Sequence, residues 1–356
     1  MRTRSLTKAL ALALTVVVMG PASTAFACGG LIAPNGTISL TRTTTLAAYH
    51  DGVEHYLTSF EYAGASAGDV GSIVPLPGVP TNVIKGGGWT LQRLEQEVQP
   101  PVRAVAFAED AVAAPGAAQV LLETTVDSLD ITVLKGGAVA VGTWASDHGF
   151  FLPPDAPEVL DFYARRSPIF MAVKFNAERA AEQGITEGLG TPVDVVIPTT
   201  DPWVPLRILT LGSEPGDLIE ADVFLLTDDE PATLPQTVAP DKSPNQTGLI
   251  RRVSEPASAS LLDDLRSDKR MGWVPEQAWL TFIDVSVKSE DLTHDLAIDA
   301  SGFGRPDPVA AGYEPADRPF DQPLVSIGLW AVVAAITFML ILAEVERRRS
   351  HHRPAV

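Results

Sequence analysis

Cysteine is almost absent from this chain, because the 356 residues include only one, Cys28. A single cysteine cannot form an intramolecular disulfide, so the folded state must depend on a packed hydrophobic core. Residues 28–322 supply 295 positions for that core. This length suits one large domain or two smaller ones.

Positive charge is also scarce, with 26 lysines and arginines against 44 aspartates and glutamates. The first 27 residues carry +3 and the last 13 carry +2, so the total of −18 leaves −23 for residues 28–322. Such an acidic body repels phosphate backbones, which argues against a nucleic-acid partner. The same charge favours cationic ligands, and it also favours solubility.

Several complete site motifs are missing from residues 28–322. The sequence there has no Ser-x-x-Lys, no His-Glu-x-x-His and no Asp-x-Asp-x-Asp-Gly pattern. These patterns would indicate, in turn, a serine acyl-transfer enzyme, a zinc protease and a calcium loop. The sequence therefore assigns no enzyme activity and predicts no cofactor.

The first 27 residues have the pattern of a secretory signal peptide. Three basic residues precede the apolar run Ala9 to Met19, and a small-x-small cleavage site is formed by Ala25, Phe26 and Ala27. A helix needs about 20 apolar residues to cross a bilayer. The apolar run is shorter than that, which predicts a removed signal rather than an anchor.

Cleavage after Ala27 would make Cys28 the first mature residue, and two fates of its thiol stay open. One is lipid attachment; the other is a free thiol or a mixed disulfide. Lipoprotein signals usually have leucine three residues before the cysteine and a small residue two before it. This chain has Ala25 and Phe26 at those positions, which favours the thiol.

The C-terminal region predicts a membrane anchor. Residues 323–343 form 21 positions without a charged side chain, which meets the length requirement of a transmembrane helix. The tail, residues 344–356, contains four arginines, so the positive-inside tendency places it in the cytoplasm. Prolines between 305 and 322 predict an extended stalk. The chain is thus predicted to be a single-pass plasma-membrane protein with an extracytoplasmic domain over residues 28–304.

Residues 28–304 mix short β-branched runs with a few helical stretches, which predicts an α+β fold. The sheet is expected to be mixed, mainly antiparallel, and covered by a few helices. Residues 70–80 are rich in proline and predict an edge strand, residues 85–88 predict a flexible glycine linker, and residues 228–256 are turn-rich. Further strands are predicted over 119–126, 129–134, 169–175, 192–197, 205–211, 219–226 and 278–287, and helices over 89–99, 138–149, 157–166 and 260–271.

A β-hairpin is predicted around Asp51-Gly52, a dipeptide typical of two-residue turns. Such a turn pairs residues whose numbers sum to 103, so Leu46 is expected opposite Leu57. In this register His50 and His55 lie on one face as diagonal neighbours about 7–8 Å apart. That spacing would let them share a metal ion, although no third ligand is close in sequence.

Two other groups are candidates for chemistry. Asp147 and His148 end a predicted helix and could form half of an acid-base pair, or His148 could interact with the exposed carbonyls of the helix. The acidic run Asp228, Asp229 and Glu230 is a seed for structural calcium, or a solvated loop.

Several motifs together are similar to one bacterial family. They are CGG at residues 28–30, SIVPLPGVP at 72–80, WTLQRL at 89–94 and the block at 129–175 that begins LDITVLKGG. The chain resembles the domain family of unknown function DUF2330 over roughly residues 27–290. The resemblance implies an exported α+β domain and no particular reaction. The family positions matched here are Gly29, Gly30, Pro75, Pro77, Pro80, Trp144, Gly149, Pro153, Tyr163, Phe170 and Lys174.

Two functional hypotheses follow from the sequence. One is a binding or scaffolding module of the cell envelope that engages an envelope protein or the cell wall. The alternative is a cell-surface hydrolase that uses dispersed carboxylates and His148. The oligomeric state is left open by the sequence.

Overall fold

The computed structural model describes residues 30–32, 42–59, 71–98, 118–183, 191–243, 246–299 and 304–313. The predicted signal peptide, Cys28, the span 323–343 and the tail 344–356 lie outside the described residues. Within the ranges just given, no helix is long and apolar enough to cross a bilayer. The body that contains the described residues forms one compact unit as far as Gly312.

The described secondary structure comprises fifteen strands, five α-helices and two 3-10 turns, the latter at Arg207–Thr210 and Ser289–Asp291. The helices are α1 (Thr90–Val98), α2 (Ala138–Asp147), α3 (Ala156–Ala164), α4 (Ala177–Glu182) and α5 (Ala259–Ser267). The strands are β1 (Gly30–Ile32), β2 (Thr43–His50), β3 (Val53–Thr58), β4 (Gly71–Pro75), β5 (Asn82–Lys85), β6 (Gln119–Val126), β7 (Leu129–Lys135), β8 (Ile169–Phe175), β9 (Val193–Pro198), β10 (Trp203–Val204), β11 (Leu218–Thr227), β12 (Thr233–Leu234), β13 (Gly248–Pro256), β14 (Trp279–Lys288) and β15 (Leu296–Ile298).

Three sheets organise these strands. The largest has the order β13-β14-β11-β2-β3-β9-β5, the second β1-β4-β8-β7-β6 and the smallest β10-β15-β12. Only the β11–β2 pairing among the named strands is parallel, and the others are antiparallel. The predicted α+β class with a mixed, mainly antiparallel sheet is confirmed.

The predicted hairpin register is also confirmed. Leu46 pairs with Leu57 across β2 and β3, and His50 pairs with Val53. The turn residues Asp51 and Gly52 have φ angles of 49° and 79°, the left-handed values that a type I′ turn requires. The Asp-Gly dipeptide therefore sets the register of the central hairpin, and with it the face on which every side chain of both strands lies.

Helices α1 and α5 cover one face of the seven-stranded sheet. Leucines of both helices pack into a core cluster with apolar side chains of β2, β3, β11 and β14. Phe224 and Phe282 stack within this cluster with ring centroids 4.8 Å apart. We call this core cluster the apolar face. Its members are Leu46, Ala48, Leu57, Leu91, Leu94, Phe224, Leu226, Leu261, Leu262, Leu265, Met271, Val274, Ala278, Leu280 and Phe282.

The glycine run at residues 85–88 is not a flexible linker, so that prediction is wrong. Gly86 and Gly87 are buried, and the backbone N–H of Gly88 donates to a carboxylate oxygen of Asp268 at 3.1 Å. Asp268 also accepts from the N–H of Trp89 at 3.0 Å and from the hydroxyl of Thr90 at 2.8 Å. A distant carboxylate thus caps the first turn of α1, which holds the preceding glycines in place.

Residues 70–80 do not form an edge strand throughout. Strand β4 pairs with β8 on one side, and its residues Gly71 to Ile73 also pair with β1 on the other. Pro75 lies beyond the reach of β1, where its missing N–H leaves no gap in that ladder. The prolines therefore mark the end of the strand rather than its place in the sheet.

Two segments differ from their predicted structure. Residues 205–211, predicted as a strand, contain the 3-10 turn Arg207–Thr210. Residues 228–256, predicted as turn-rich, end in the nine-residue strand β13, which pairs with β14. The four predicted helices are observed as α1, α2, α3 and α5, and Gly149 ends the second of them with a φ of 84°.

The folded body continues past the predicted boundary at residue 304. Ala310 and Ala311 are 6% and 0% exposed, and the carbonyl of Ala311 accepts from the N–H of Asp295 at 3.1 Å. Residues 305–312, at the start of the predicted stalk, therefore belong to the packed unit that ends at Gly312.

Candidate functional site

A cavity of about 590 Å³ lies where the hairpin turn, the loop after β9 and residues 307–310 meet. Its volume falls in the range of small-molecule sites. Apolar and polar side chains both line it, including Pro77, Arg166, Thr199, Asp201, Trp203 and Asp307.

Arg166, two residues after α3, is the buried cation of this cavity. Its side chain is 6% exposed, and its Nη2 donates to Asp295. The guanidinium carbon lies 4.4 Å, 4.8 Å and 4.5 Å from the ring centroids of Phe162, Tyr163 and Trp203. Such cation–π contacts hold a guanidinium in place. Nε and Nη1 have no hydrogen-bond partner among the described residues.

Burial lowers the pKa of Arg166 to about 10, and the positive charge of Arg207 adds to this shift while Tyr163 opposes it. The side chain therefore still carries its charge at neutral pH. Burial also raises the pKa of the Tyr163 hydroxyl above its ordinary value, so that hydroxyl keeps its proton.

Asp295 fixes the position of Arg166. This carboxylate is fully buried, and its Oδ1 accepts from the hydroxyl of Tyr163 and from the backbone N–H of Arg207, both at 2.8 Å. The Tyr163 hydroxyl in turn accepts from the N–H of Ile208 at 2.8 Å. These bonds hold the 3-10 turn against α3, which explains why the apolar run at 205–211 does not extend as a strand.

Glu54 lies behind the cavity wall formed by Trp203. It is fully buried, and neither carboxylate oxygen has a hydrogen-bond partner among the described residues. Burial raises the pKa of Glu54 to about 8, and the backbone N–H of Trp203 opposes this rise without reaching hydrogen-bond geometry. The side chain is therefore mainly protonated at neutral pH.

Two carboxylates line the cavity itself. Asp201 accepts from the hydroxyl of Thr200 at 2.5 Å, and its own N–H donates to the hydroxyl of Thr199 at 3.2 Å. Asp307 accepts from the N–H groups at positions 309 and 310 at 3.1 Å and 3.2 Å. The cavity therefore presents one buried cation and two anions to a ligand.

The predicted acid-base pair lies away from this cavity. His148 caps α2, with its Nδ1 2.8 Å from the carbonyl oxygen of Trp144 and its ring stacked on the indole at 3.9 Å. In the part of the chain that the structure describes, no carboxylate contacts His148. Asp147 is the last residue of α2. The contacts of His148 are those of a residue that closes a helix end.

The two predicted metal-binding histidines have separate carboxylate partners. His50 Nδ1 lies 2.5 Å from Asp228, and His55 Nδ1 lies 3.1 Å from Asp194. The ring of His55 also stacks on Trp273 at 3.8 Å. Among the described residues, no group of three or more His, Cys, Asp and Glu side chains is arranged to hold a metal ion.

The acidic run after β11 is tied to neighbouring strands. Glu230 accepts from Arg251 and from Ser254, both at 3.2 Å. The carbonyl of Asp229 accepts from the hydroxyl of Thr227 at 2.7 Å. With Asp228 paired to His50, the carboxylates of Asp228 and Glu230 face different partners rather than a common point.

Residues 64–68 read GASAG and match the Gly-x-Ser-x-Gly pattern of serine hydrolases. They lie outside the described residues, and the described elements on either side are the strands β3 and β4.

The sequence reasoning missed Arg166, Asp295 and Glu54. For Glu54 a signal was available, because the hairpin register places it on the same face as Tyr56, which is 1% exposed. For Arg166 and Asp295 no local pattern exists, since they are 129 residues apart and meet only through the fold.

Comparisons with known proteins identify a family but no characterised relative. The family model described as an uncharacterized protein conserved in bacteria, DUF2330, matches residues 21–298. No curated protein is significantly similar to the chain.

Solved structures of baculovirus P35 are weakly similar. The crystal structure of this protein has a TM-score of 0.36 and 11% identity, with 63% of this chain and 78% of the other covered. A mutated P35 after caspase cleavage has a TM-score of 0.31 and 7% identity, with 72% and 93% covered. At these TM-scores the similarity supports no argument about fold or function.

Proposed function

We propose a function from one premise: the chain belongs to DUF2330, a family of uncharacterized proteins conserved in bacteria. On this premise we propose that it is a membrane-anchored extracytoplasmic binding module. Its ligand site is the cavity beside Arg166, and its partner is a component of the cell envelope.

The proposed location rests on the order of sequence signals. An export signal with a cleavage site at Ala25 to Ala27 precedes the body, and the apolar run 323–343 with its arginine-rich tail follows it. The acidic body suits an aqueous compartment outside the plasma membrane.

The buried arginine carries the proposal of binding. Arg166 is held by Asp295 and three aromatic rings, it stays charged at neutral pH, and it lines a cavity of ligand size. A fixed charge of this kind recognises a ligand but does not exchange protons readily near neutral pH. Binding therefore accounts for the site better than acid-base catalysis.

The contacts of His148 do not support the alternative of a hydrolase built on this residue. Its ring contacts serve the end of α2, and the cavity lining does not include it. Asp201 and Asp307 line the cavity, but the described contacts give neither of them a histidine partner.

Two experiments on the full-length chain in its native membrane test this proposal. A protease added outside cells stripped of any outer barrier is expected to digest the body. A photo-crosslinking residue at Thr200, an exposed lining position, is expected to capture a discrete envelope component, and the same residue at exposed Lys242 is expected not to. A protected body, or identical crosslinks at both positions, would refute the proposal.

A further inference from the structure

We propose that the Arg166 cavity binds a small monocarboxylate, which reaches the free Nη1 donor of Arg166 when residues 304–312 move aside. This inference rests on the proposed function, because it assigns a ligand class to the same site. We call residues 304–312 the covering segment.

Arg166 has unmet hydrogen-bonding capacity. Its Nη2 is paired with Asp295, whereas Nε and Nη1 have no acceptor among the described residues and are shielded from solvent. Buried N–H groups without an acceptor are unfavourable, and those of a charged group more so. Asp295 does not supply the second bond, because its Oδ1 already accepts from Tyr163 and Arg207. A ligand oxygen on Nη1 would satisfy one of these two free donors.

The guanidinium of Arg166 is held in a fixed orientation. The rings of Phe162, Tyr163 and Trp203 all lie within 4.8 Å of its carbon, so its plane and direction are fixed before any ligand arrives. Because Nε and Nη1 lie on opposite sides of the guanidinium, one carboxylate oxygen can accept from Nη1, and this charge-assisted bond is shorter and stronger than a bond between neutral groups.

The carboxylates of the cavity lining limit the negative charge that a ligand can carry. Asp201 and Asp307 also line it, so a ligand with nearly two negative charges, such as phosphate, would be repelled more than a ligand with one. A monocarboxylate that also carries a hydroxyl, amide or amino group would donate to these side chains. This class includes hydroxy acids, amino acids and the carboxyl ends of peptides.

The covering segment controls access to Arg166. A Cβ atom at Gly312 would lie 2.3 Å from Nη1 of Arg166 and 2.2 Å from the Phe162 ring, so backbone covers the free donor directly. The segment is bonded to the rest of the body through Asp295 N–H to Ala311 and through Gly304 N–H to Asp299, at 3.1 Å and 2.7 Å. A carboxylate that takes Nη1 must therefore displace Gly312, and binding is linked to release of the segment.

N-acetyl-alanine and its neutral amide are matched probes for this inference, with inorganic phosphate as the dianion. Calorimetry on the full-length protein in detergent is expected to show the acid binding about tenfold or more tightly than the amide. Arg166→Lys keeps the charge but has no donor at the position of Nη1, so it should abolish this preference. Arg252→Lys is the control, because Arg252 pairs with Asp284 elsewhere.

Release of the covering segment is measured with a second variant. Ala311→Cys in a Cys28→Ser background places the only thiol at a fully buried position. Its rate of maleimide labelling is expected to rise several-fold with N-acetyl-alanine and to stay unchanged with the amide. This readout also reports whether the variant is folded, since an unfolded chain labels at once.

Each contrary result has a distinct meaning. Equal binding of acid and amide, tighter binding of phosphate, or no binding of the acid at millimolar concentrations would overturn the carboxylate assignment. Binding without faster labelling would overturn the movement of the covering segment. In each of these cases the Thr200 crosslink would still test the proposed function separately.

Discussion

Two buried carboxylates, Asp268 and Glu54, show how differently the two sides of the large sheet are built. Asp268, beside the apolar face, accepts from two backbone N–H groups and a hydroxyl at the start of α1, and from the N–H of Lys269 at 2.7 Å. Glu54, behind Trp203, has no hydrogen-bond partner among the described residues. The first carboxylate stabilises the scaffold, whereas the second costs stability.

The same contrast holds for the neighbours of these residues. The core cluster of the apolar face consists of apolar side chains. The region around Trp203, by contrast, contains Arg166 and Asp295 as a buried ion pair, together with Glu54. Incompletely satisfied buried polar groups are enriched at functional sites, so this difference supports the proposed site beside Trp203.

The largest expected effect comes from removing the ion pair of the Trp203 region. Asp295→Ala leaves the Arg166 charge buried without its partner. It also removes the acceptor of the Tyr163 hydroxyl and of the Arg207 backbone N–H. Removing one partner of a buried ion pair lowers the free energy of unfolding by about 3–5 kcal/mol. Urea unfolding measures this loss. Asp201→Asn, at an exposed position, is the control with little effect. A loss as small as that of the control would show that the pair is not buried in solution.

The next effect concerns Glu54 and pH. Its pKa is raised from 4.5 to about 8 in the folded state, so the unfolded chain loses its proton first as the pH rises. Stability is therefore full below about pH 4.5, falls between 4.5 and about 8, and then levels off.

Glu54→Gln is expected to remove this pH-dependent loss. The gain at pH 8 should amount to several kcal/mol, since each pKa unit corresponds to about 1.4 kcal/mol. Unfolding of both proteins at pH 5 and pH 8 measures it. If both proteins lose the same stability over this interval, Glu54 does not titrate as described.

A smaller effect is expected on the apolar face. Asp268→Ala removes the cap of α1, and loss of a capping side chain costs about 1–2 kcal/mol. Hydrogen exchange should then rise at the N–H groups of Gly88 and Trp89, which Asp268 accepts from. Asp241→Ala, at an exposed position, serves as the control. Unchanged exchange at both amides would contradict the capping role.

The smallest effect is expected at His148, which closes α2 away from both the apolar face and the Trp203 region. His148→Ala removes the stacking on Trp144 and one bond to its carbonyl, which should cost about 1 kcal/mol or less in thermal unfolding. Binding of N-acetyl-alanine should be unchanged, because His148 does not line the cavity. A loss of binding in a folded variant would show that His148 contributes to the ligand site.

Local patterns predicted much of the scaffold. Asp51-Gly52 predicted the hairpin register, and periodic apolar residues predicted four of the five described helices. These signals act over a few residues, so they are readable from sequence. The glycines before Trp89 were misjudged because their rigidity comes from Asp268, about 180 residues away in the chain.

The candidate site was not predictable in the same way. The site brings together Arg166, Trp203 and Asp295 from three different parts of the chain. The cavity also requires residues 307–310, which were predicted to be part of a stalk because of the prolines between 305 and 322. Proline restricts the backbone but does not prevent packing, and Ala310 and Ala311 are buried despite it. Long-range contacts of this kind leave no periodic trace in the sequence.

Gly312 also decides where this protein can be shortened for solution work. A truncation at residue 304 would remove the acceptor of the Asp295 N–H and would uncover both Phe162 and Arg166. A shortened chain that retains Gly312 keeps Phe162 and Arg166 covered. Fusions and purification tags should accordingly begin beyond that glycine.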